Sequence, residues 1–386
     1  MIIQFIHGDI ITPTELIEDG CLVVNEGKIA FITTDNTPLP EAHIINAHRQ
    51  YIAPGCIDIH VHGGGGHDFM EGTEEAFQRI ALAHAKHGTT ALYATLAACP
   101  KASIDQAITT CEHLIDKPIQ GAQIMGLHLE GNYLNPAKKG AQNPAFLKNP
   151  DPNEYKELLS RTKVIKRWSI SPELEGALAL GRYASQRGVV VSIAHTTASY
   201  PIVKAAYEAG FSLVTHFYNA MTNVHNQREF KHEGTVESVY LIPELEVEVI
   251  ADGIHVPPTL LKLTCQIKGN DRVSLITDAM AAAANHNQLP AQFKDLVIIE
   301  DGVCKLPDHS ALASSIATTD RLIKVMVEQV GLPLLDVVRM ASLNPAKKMH
   351  IDDCKGSLEK GKDADIIILN KAFETQSTFV KGQQIL

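Results

Sequence analysis

Eight short apolar runs rich in β-branched residues, separated by helix-like segments, constrain this chain most. In order they are CIDIHVH, TTALYAT, QIMGLHLEG, VIKRWSISPE, VVVSIAH, SLVTHFY, VEVIADGIH and RVSLITDA. Segments such as EEAFQRIALAHAKHG and YPIVKAAYEAG lie between them with helical periodicity, and end in Gly88 and Gly210 where a C-cap glycine belongs. Strands that alternate with helices pair in parallel and are covered on both faces, so they read as continuous apolar runs. Eight such units over roughly 300 residues predict an α/β fold, a (β/α)8 barrel of the TIM type. A doubly wound open sheet is the alternative. It usually carries an early G-x-G-x-x-G fingerprint with an acidic residue downstream, which the four glycines at 63–66 do not supply.

The two ends differ from the middle. MIIQFIHG and CLVVNEGKIAFIT read as short strands separated by turn-forming Asp-Gly and Glu-Gly, and KGKDADIIILN and STFVKGQQIL follow near the C-terminus without helices. Both ends are expected to pair in one small discontinuous β-sandwich domain, 1–52 plus 357–386, flanking a barrel over 53–356. The net charge of -10 argues against nucleic acid or an anionic membrane as partner. Seven scattered cysteines without a C-x-x-C spacing, no basic leader and no membrane-length apolar run lead to the expectation of a cytoplasmic protein with reduced thiols.

The chemistry is suggested by how the runs end. The first ends in His60 and His62, the third in His128 and Glu130, the fifth in His195, and the sixth near His216. The seventh ends in Asp252 and His255, the eighth in Asp278. His60 and His62 alone say little, because 18 histidines in 386 residues produce about one His-x-His pair by chance. Any one of these residues is explained better by a strand-end hydrogen bond to the backbone, which is commoner than a ligand role. As a set they carry more, because in a barrel all C-terminal strand ends open onto one face. Histidines and carboxylates without cysteine suit a divalent metal, zinc foremost, with iron or manganese as alternatives, and one carboxylate among several imidazoles can bridge two ions. Such a site activates water, and Asp278 at the last strand end is placed to accept and return a proton. The reaction class is hydrolysis of an amide, an ester or a deaminable C–N bond.

With PGCIDIHVHG, TDA and GSLEKGKDADIIILN in these positions, the chain resembles the metal-dependent amidohydrolase superfamily. Within it, GLHLEGNYLNPAKKGAQNP, AHTTAS, VTHFYNAM, IADGIHV, LITDAM and LASSIATTDRLI resemble the N-acetylglucosamine-6-phosphate deacetylase family over essentially the whole length. The resemblance implies Glu130, His195 and His216 as ligands of a main metal and Asp278 as acid/base. A second ion on His60 and His62, shared with Glu130 and Asp278, is implied where the His-x-His pair is kept. It further implies sugar-phosphate contacts from Ala141 and Gln142, from Asn219 and Ala220, from Arg228, from Asp252 and His255, and from Leu312, Ala313 and Ser314. His255 would also steady the oxyanion. A homodimer is implied, with Arg228 reaching the neighbouring subunit. Gln142 stands where some relatives have His, Ser314 replaces a glycine, and EFKHEGTVES departs from the usual Pro and Gly pattern. The galactosamine epimer as substrate, or a non-catalytic scaffold, are the competing expectations. The scaffold fits poorly because every expected ligand is present.

Overall fold

A computed structural model of the chain describes residues 1–115, 117–285 and 288–386. The eight runs form one parallel sheet whose strands are Cys56–Val61, Thr89–Leu96, Gln123–Glu130, Ile165–Ile170, Val190–Ile193, Phe211–Val214, Glu246–Ile250 and Val273–Ile276. Each pairs with the next in sequence. The ends of the first and last strands meet: Asp278 N–H donates to His60 O at 2.9 Å, and His62 N–H to Ala279 O at 2.9 Å. The barrel thereby closes most tightly at the rim where His60, His62 and Asp278 lie. The first two strands are buried at every residue, as burial on both faces requires.

Helices cover the outside. Glu74–Ala85 starts with Thr73 accepting from Ala76 N–H, and it turns back toward the sheet through Gly88 at φ 93. Tyr200–Glu208 ends the same way at Gly210, φ 90. Among the described residues, no helix is long and apolar enough to cross a membrane.

The termini build the second sheet together. Ile366–Leu369 runs antiparallel to Tyr51–Pro54, which in turn lies beside Ile2–Ile11. Phe5 from the N-terminal strand meets Phe379 edge-on at 4.9 Å. Glu26-Gly27, both at positive φ, forms the expected hairpin turn. Asp19-Gly20 does not. It lies within the strand Leu16–Asn25, where Gly20 faces Gly8 between two register shifts, so this Asp-Gly makes a bulge instead of a turn. The actual turn is at Thr12–Glu15, closed by Thr12 N–H to Glu15 O at 2.9 Å.

The glycine run after the first strand is pinned from below. His84 is fully buried and hydrogen-bonds Gly63 O through Nε2 at 2.9 Å. A Cβ on Gly64 would come within 2.7 Å of that ring, so only glycine lets the loop pass so close. Burial lowers the His84 pKa to about 4, whereas the unfolded ring titrates at 6.5. The unfolded chain therefore takes up this proton first as pH falls. The stability involved is complete above pH 6.5 and is lost on the way down to pH 4, about 3 kcal/mol in all. A His84→Gln chain should lose unfolding free energy less steeply across that window in urea titrations. Parallel declines for the two chains would refute this.

Candidate active site

The strand-end side chains converge on the carboxylate of Glu130. Oε1 lies 2.9 Å from His216 Nε2 and 3.1 Å from His195 Nε2. Oε2 lies 3.2 Å from His62 Nε2, and His60 Nε2 is 3.6 Å from Oε1. Asp278 Oδ1 sits beside the first pair, 3.4 Å from His60 Nε2 and 3.3 Å from His62 Nε2. Two groups able to hold an ion result, His60–His62–Glu130 and Glu130–His195–His216, and both use the same carboxylate.

The hydrogen-bond chemistry of this cluster fits a divalent cation. His195 and His216 bring Nε2 to Nε2 at 3.2 Å, and His60 and His62 do so at 3.3 Å. Two bare imidazole nitrogens repel at such a distance unless a proton or a cation lies between them. The far nitrogens are constrained as in metal sites: His195 Nδ1 donates to Lys138 O at 2.7 Å and His60 Nδ1 to Glu248 Oε1 at 2.8 Å. That fixes the tautomer with Nε2 free. Without a cation, protons take its place. Burial opposes a charged His60, yet Asp278, Glu130 and Glu248 push the ring up to about 9. His62 is raised well above its ordinary range in the same way, against burial. Burial would raise Glu130 and Asp278, but the histidines outweigh it and hold both carboxyls low.

Three of these residues share a backbone signature. His195, His216 and Asp278 have φ of 46, 29 and 48, each just past a strand end. Left-handed backbone is unfavourable for such residues and persists where the surroundings impose it. Here it turns each side chain from the strand back over the barrel mouth.

Above the cluster is a cavity of about 600 Å³. Ala141, Asn219, Ala220 and His255 line it, as do Leu312, Ala313 and Ser314. Ser314 takes φ 56, the conformation a glycine would adopt freely. Gln142 also lines the cavity, but both ends of its amide are engaged. Nε2 donates to Glu130 Oε2 at 2.8 Å and Oε1 accepts from Ala98 N–H at 2.7 Å. Its hydrogen bonds are thus with the Glu130 carboxylate and the Ala98 backbone. Asp252 stands behind His255 and outside the lining, accepting from His255 Nδ1 at 2.8 Å and from the His255 N–H at 2.9 Å. Among the described residues, that leaves His255 Nε2 buried without a partner. Arg228 is likewise outside the lining, at φ 55 in the turn between the exposed strands His225–Gln227 and Phe230–His232. His128 is turned away from metal binding: Nδ1 pairs with Thr95 at 3.1 Å and Nε2 with Ser169 at 2.7 Å.

A profile of the amidohydrolase family matches residues 51–385. This chain belongs to the amidohydrolase family. Among similar proteins, the N-acetylgalactosamine-6-phosphate deacetylase of Escherichia coli O157:H7 is 30% identical over 375 residues, 97% of each chain. The N-acetylglucosamine-6-phosphate deacetylase of Bacillus subtilis (strain 168) is 30% identical over 378 residues, 97% of this chain and 94% of that one. The crystal structure of N-acetylglucosamine-6-phosphate deacetylase from Pasteurella multocida superposes with a TM-score of 0.91 at 26% identity, covering 100% of this chain and 99% of that one. Amidohydrolases of this superfamily depend on metal, and the Glu130-centred groups are where this one could hold it.

Sequence reasoning missed several residues of this amidohydrolase's site. Lys139 lines the cavity and is the one lysine or arginine among its described lining residues. Glu248 and Arg167, both fully buried, lie beneath the cluster as an ion pair at 2.5 Å. Asp58 accepts from the His60 N–H at 3.2 Å and from the Thr277 hydroxyl, tying the first strand to the last. The available signal was a charged residue inside a strand of the buried sheet, Arg167 in IKRWSI and Glu248 in EVEVI.

Proposed function

We propose that the chain hydrolyses the N-acetyl amide of an N-acetylhexosamine 6-phosphate, releasing acetate from N-acetylglucosamine 6-phosphate and leaving glucosamine 6-phosphate. The observation that supports this most is the shared Glu130 carboxylate with four imidazoles and Asp278 at the floor of a sugar-sized cavity. The names of the relatives give the substrate class. Glu130, His195 and His216 would hold one cation, zinc foremost or iron or manganese, and His60 and His62 with Glu130 and Asp278 a second. Bound there, the cation supplies a water of lowered pKa and positive charge for the amide oxygen.

The chain's own residues complete the reaction. Asp278, whose Oδ1 lies 3.3 Å from His62 Nε2 at the edge of the cluster, accepts a proton from the attacking water. It then returns the proton to the amine nitrogen as the C–N bond breaks. His255 is fixed through Nδ1 by Asp252 and lines the cavity, where its Nε2 is the contact we assign to the acetyl oxygen. Asn219, Ala220, Ala141 and the segment Leu312, Ala313, Ser314 would surround the sugar. We assign the phosphate to Lys139, with Arg228 reaching in from the neighbouring subunit of a homodimer in the cytoplasm. A phosphate dianion needs such charge-assisted bonds on a chain of net charge -10.

Lys139→Met is expected to raise KM for the 6-phosphate by roughly 10- to 100-fold, the worth of one charge-assisted bond. It should leave hydrolysis of unphosphorylated N-acetylglucosamine unchanged. Equal losses on both sugars would reject the assignment. One of the relatives named above acts on the galactosamine epimer, which makes that sugar the second reading. Assays of acetate release from both 6-phosphates decide between them: a higher kcat/KM for the glucosamine form is expected. Equal values would undo the narrower substrate.

A further inference from the structure

The polar side chains inside the barrel connect into a network that no step above uses. Arg167, on the fourth strand, sends Nη1 to Ile59 O at 2.9 Å and to Glu248 Oε2 at 2.5 Å. Its Nη2 reaches Thr215 Oγ1 at 3.1 Å and its Nε reaches Ser192 Oγ at 3.2 Å. A guanidinium bonded to the first, fifth and seventh strands and to Thr215 after the sixth must cross the barrel interior. Glu248 Oε1 in turn accepts from His60 Nδ1 at 2.8 Å and from the His216 N–H at 3.1 Å. Arg167 and Glu248 thus grip residues 59 and 60 beneath one donor group and 215 and 216 beneath the other. Both side chains have no exposed surface.

We propose that Glu248, braced by Arg167, is a positioning residue that aims His60 Nε2 and thereby sets cation occupancy of the His60–His62–Glu130 group. The proposal rests on the reading of the cluster as a metal site. A carboxylate that accepts the Nδ1–H leaves the Nε2 lone pair bare and fixes the ring plane. The other group has its own device, because His195 is oriented by Lys138 O. The dependence on Glu248 is therefore unequal: it holds a ligand ring in the first group and only the His216 backbone in the second.

The test titrates the metal-free full chain with Zn²⁺ against a competing chelator, reading stoichiometry and stepwise Kd. The wild type is expected to take two equivalents. Glu248→Gln should weaken the second by about 10- to 100-fold, as loss of such an outer partner does elsewhere, and leave the first nearly unchanged. In a His60→Ala background, where that step is already weakened, it should add nothing. An unchanged second step, equal weakening of both steps, or additivity with His60→Ala would each overturn the proposal in favour of a merely structural pair. Should Glu248→Gln fail to fold because Arg167 is left buried without a counter-charge, the double variant Glu248→Gln/Arg167→Met carries the same comparison. A wild type that binds one equivalent also overturns the proposal and leaves the Asp278 reading standing. A wild type that binds none overturns the metal reading itself.

Discussion

Exchange of Asp278 for Asn is expected to lower kcat for acetate release by about 10²- to 10⁴-fold, the usual worth of a positioned acid/base. Metal should remain bound at Glu130, His195 and His216. The substitution keeps shape and removes the ability to accept a proton, together with one anionic contact of the second cation. The backbone at 278 should stay in place, since its N–H is bonded to His60 O and its carbonyl accepts from Ser315 N–H at 2.8 Å. The carboxylate itself is 3.3 Å and 3.4 Å from the first-strand histidines, close enough to share a water with an ion between them. Acetate release, metal content and a thermal melt on the same preparation check the three parts together. Wild-type-like turnover would remove Asp278 from the proton transfers.

Loss of stability should be largest at a point far from this chemistry. Lys355 is almost fully buried, with Nζ at 2.6 Å from Asp365 Oδ2, 2.9 Å from Asp363 Oδ2 and 2.5 Å from Gln123 Oε1. Gln123 opens the third barrel strand, at the end opposite the cavity, while Asp365 leads into the strand Ile366–Leu369 of the terminal sheet. One ammonium thus fastens barrel to sheet. Burial raises the Asp365 carboxyl even with Lys355 beside it. In Lys355→Met that carboxylate is left without its cation, and Asp363 keeps only the half-exposed Lys28 at 2.7 Å. Breaking a buried pair in this way costs about 3–5 kcal/mol, a large share of a typical domain's stability. The urea midpoint should fall accordingly, with kcat of the folded fraction unchanged. The deficit should shrink at acid pH, where the stranded carboxyls take up protons. An unchanged midpoint would show that the three contacts contribute little.

The barrel was legible because a parallel strand covered on both faces has no reason to alternate, so its eight runs stand out against amphipathic helices. The residues that meet at the candidate metal groups were legible for a related reason. Histidines and acids are rare at the ends of such runs, and barrel topology brings those ends together whatever their separation in sequence. Other features depend on register. Arg167 finds Glu248 only because the fourth and seventh strands face each other across the interior, and no local pattern encodes that distance. Gln142 was read as a sugar contact from the resemblance; it lines the cavity, and its hydrogen bonds to Glu130 and from the Ala98 N–H had no local signal. The bulge at Gly20 likewise needed the opposing Gly8 to be seen as one. Local chemistry announced the residues, and pairing across the barrel decided their partners.

The central claim is that a cation held by the Glu130-centred groups drives deacetylation of an N-acetylhexosamine 6-phosphate. The most direct measurement is acetate release from N-acetylglucosamine 6-phosphate by the chain as purified, after exhaustive chelation, and after return of Zn²⁺, with metal per chain determined at each stage. Turnover should vanish with the metal and return with it. Turnover that persists in metal-free protein, or metal-loaded protein that releases no acetate from either hexosamine epimer, would contradict the account.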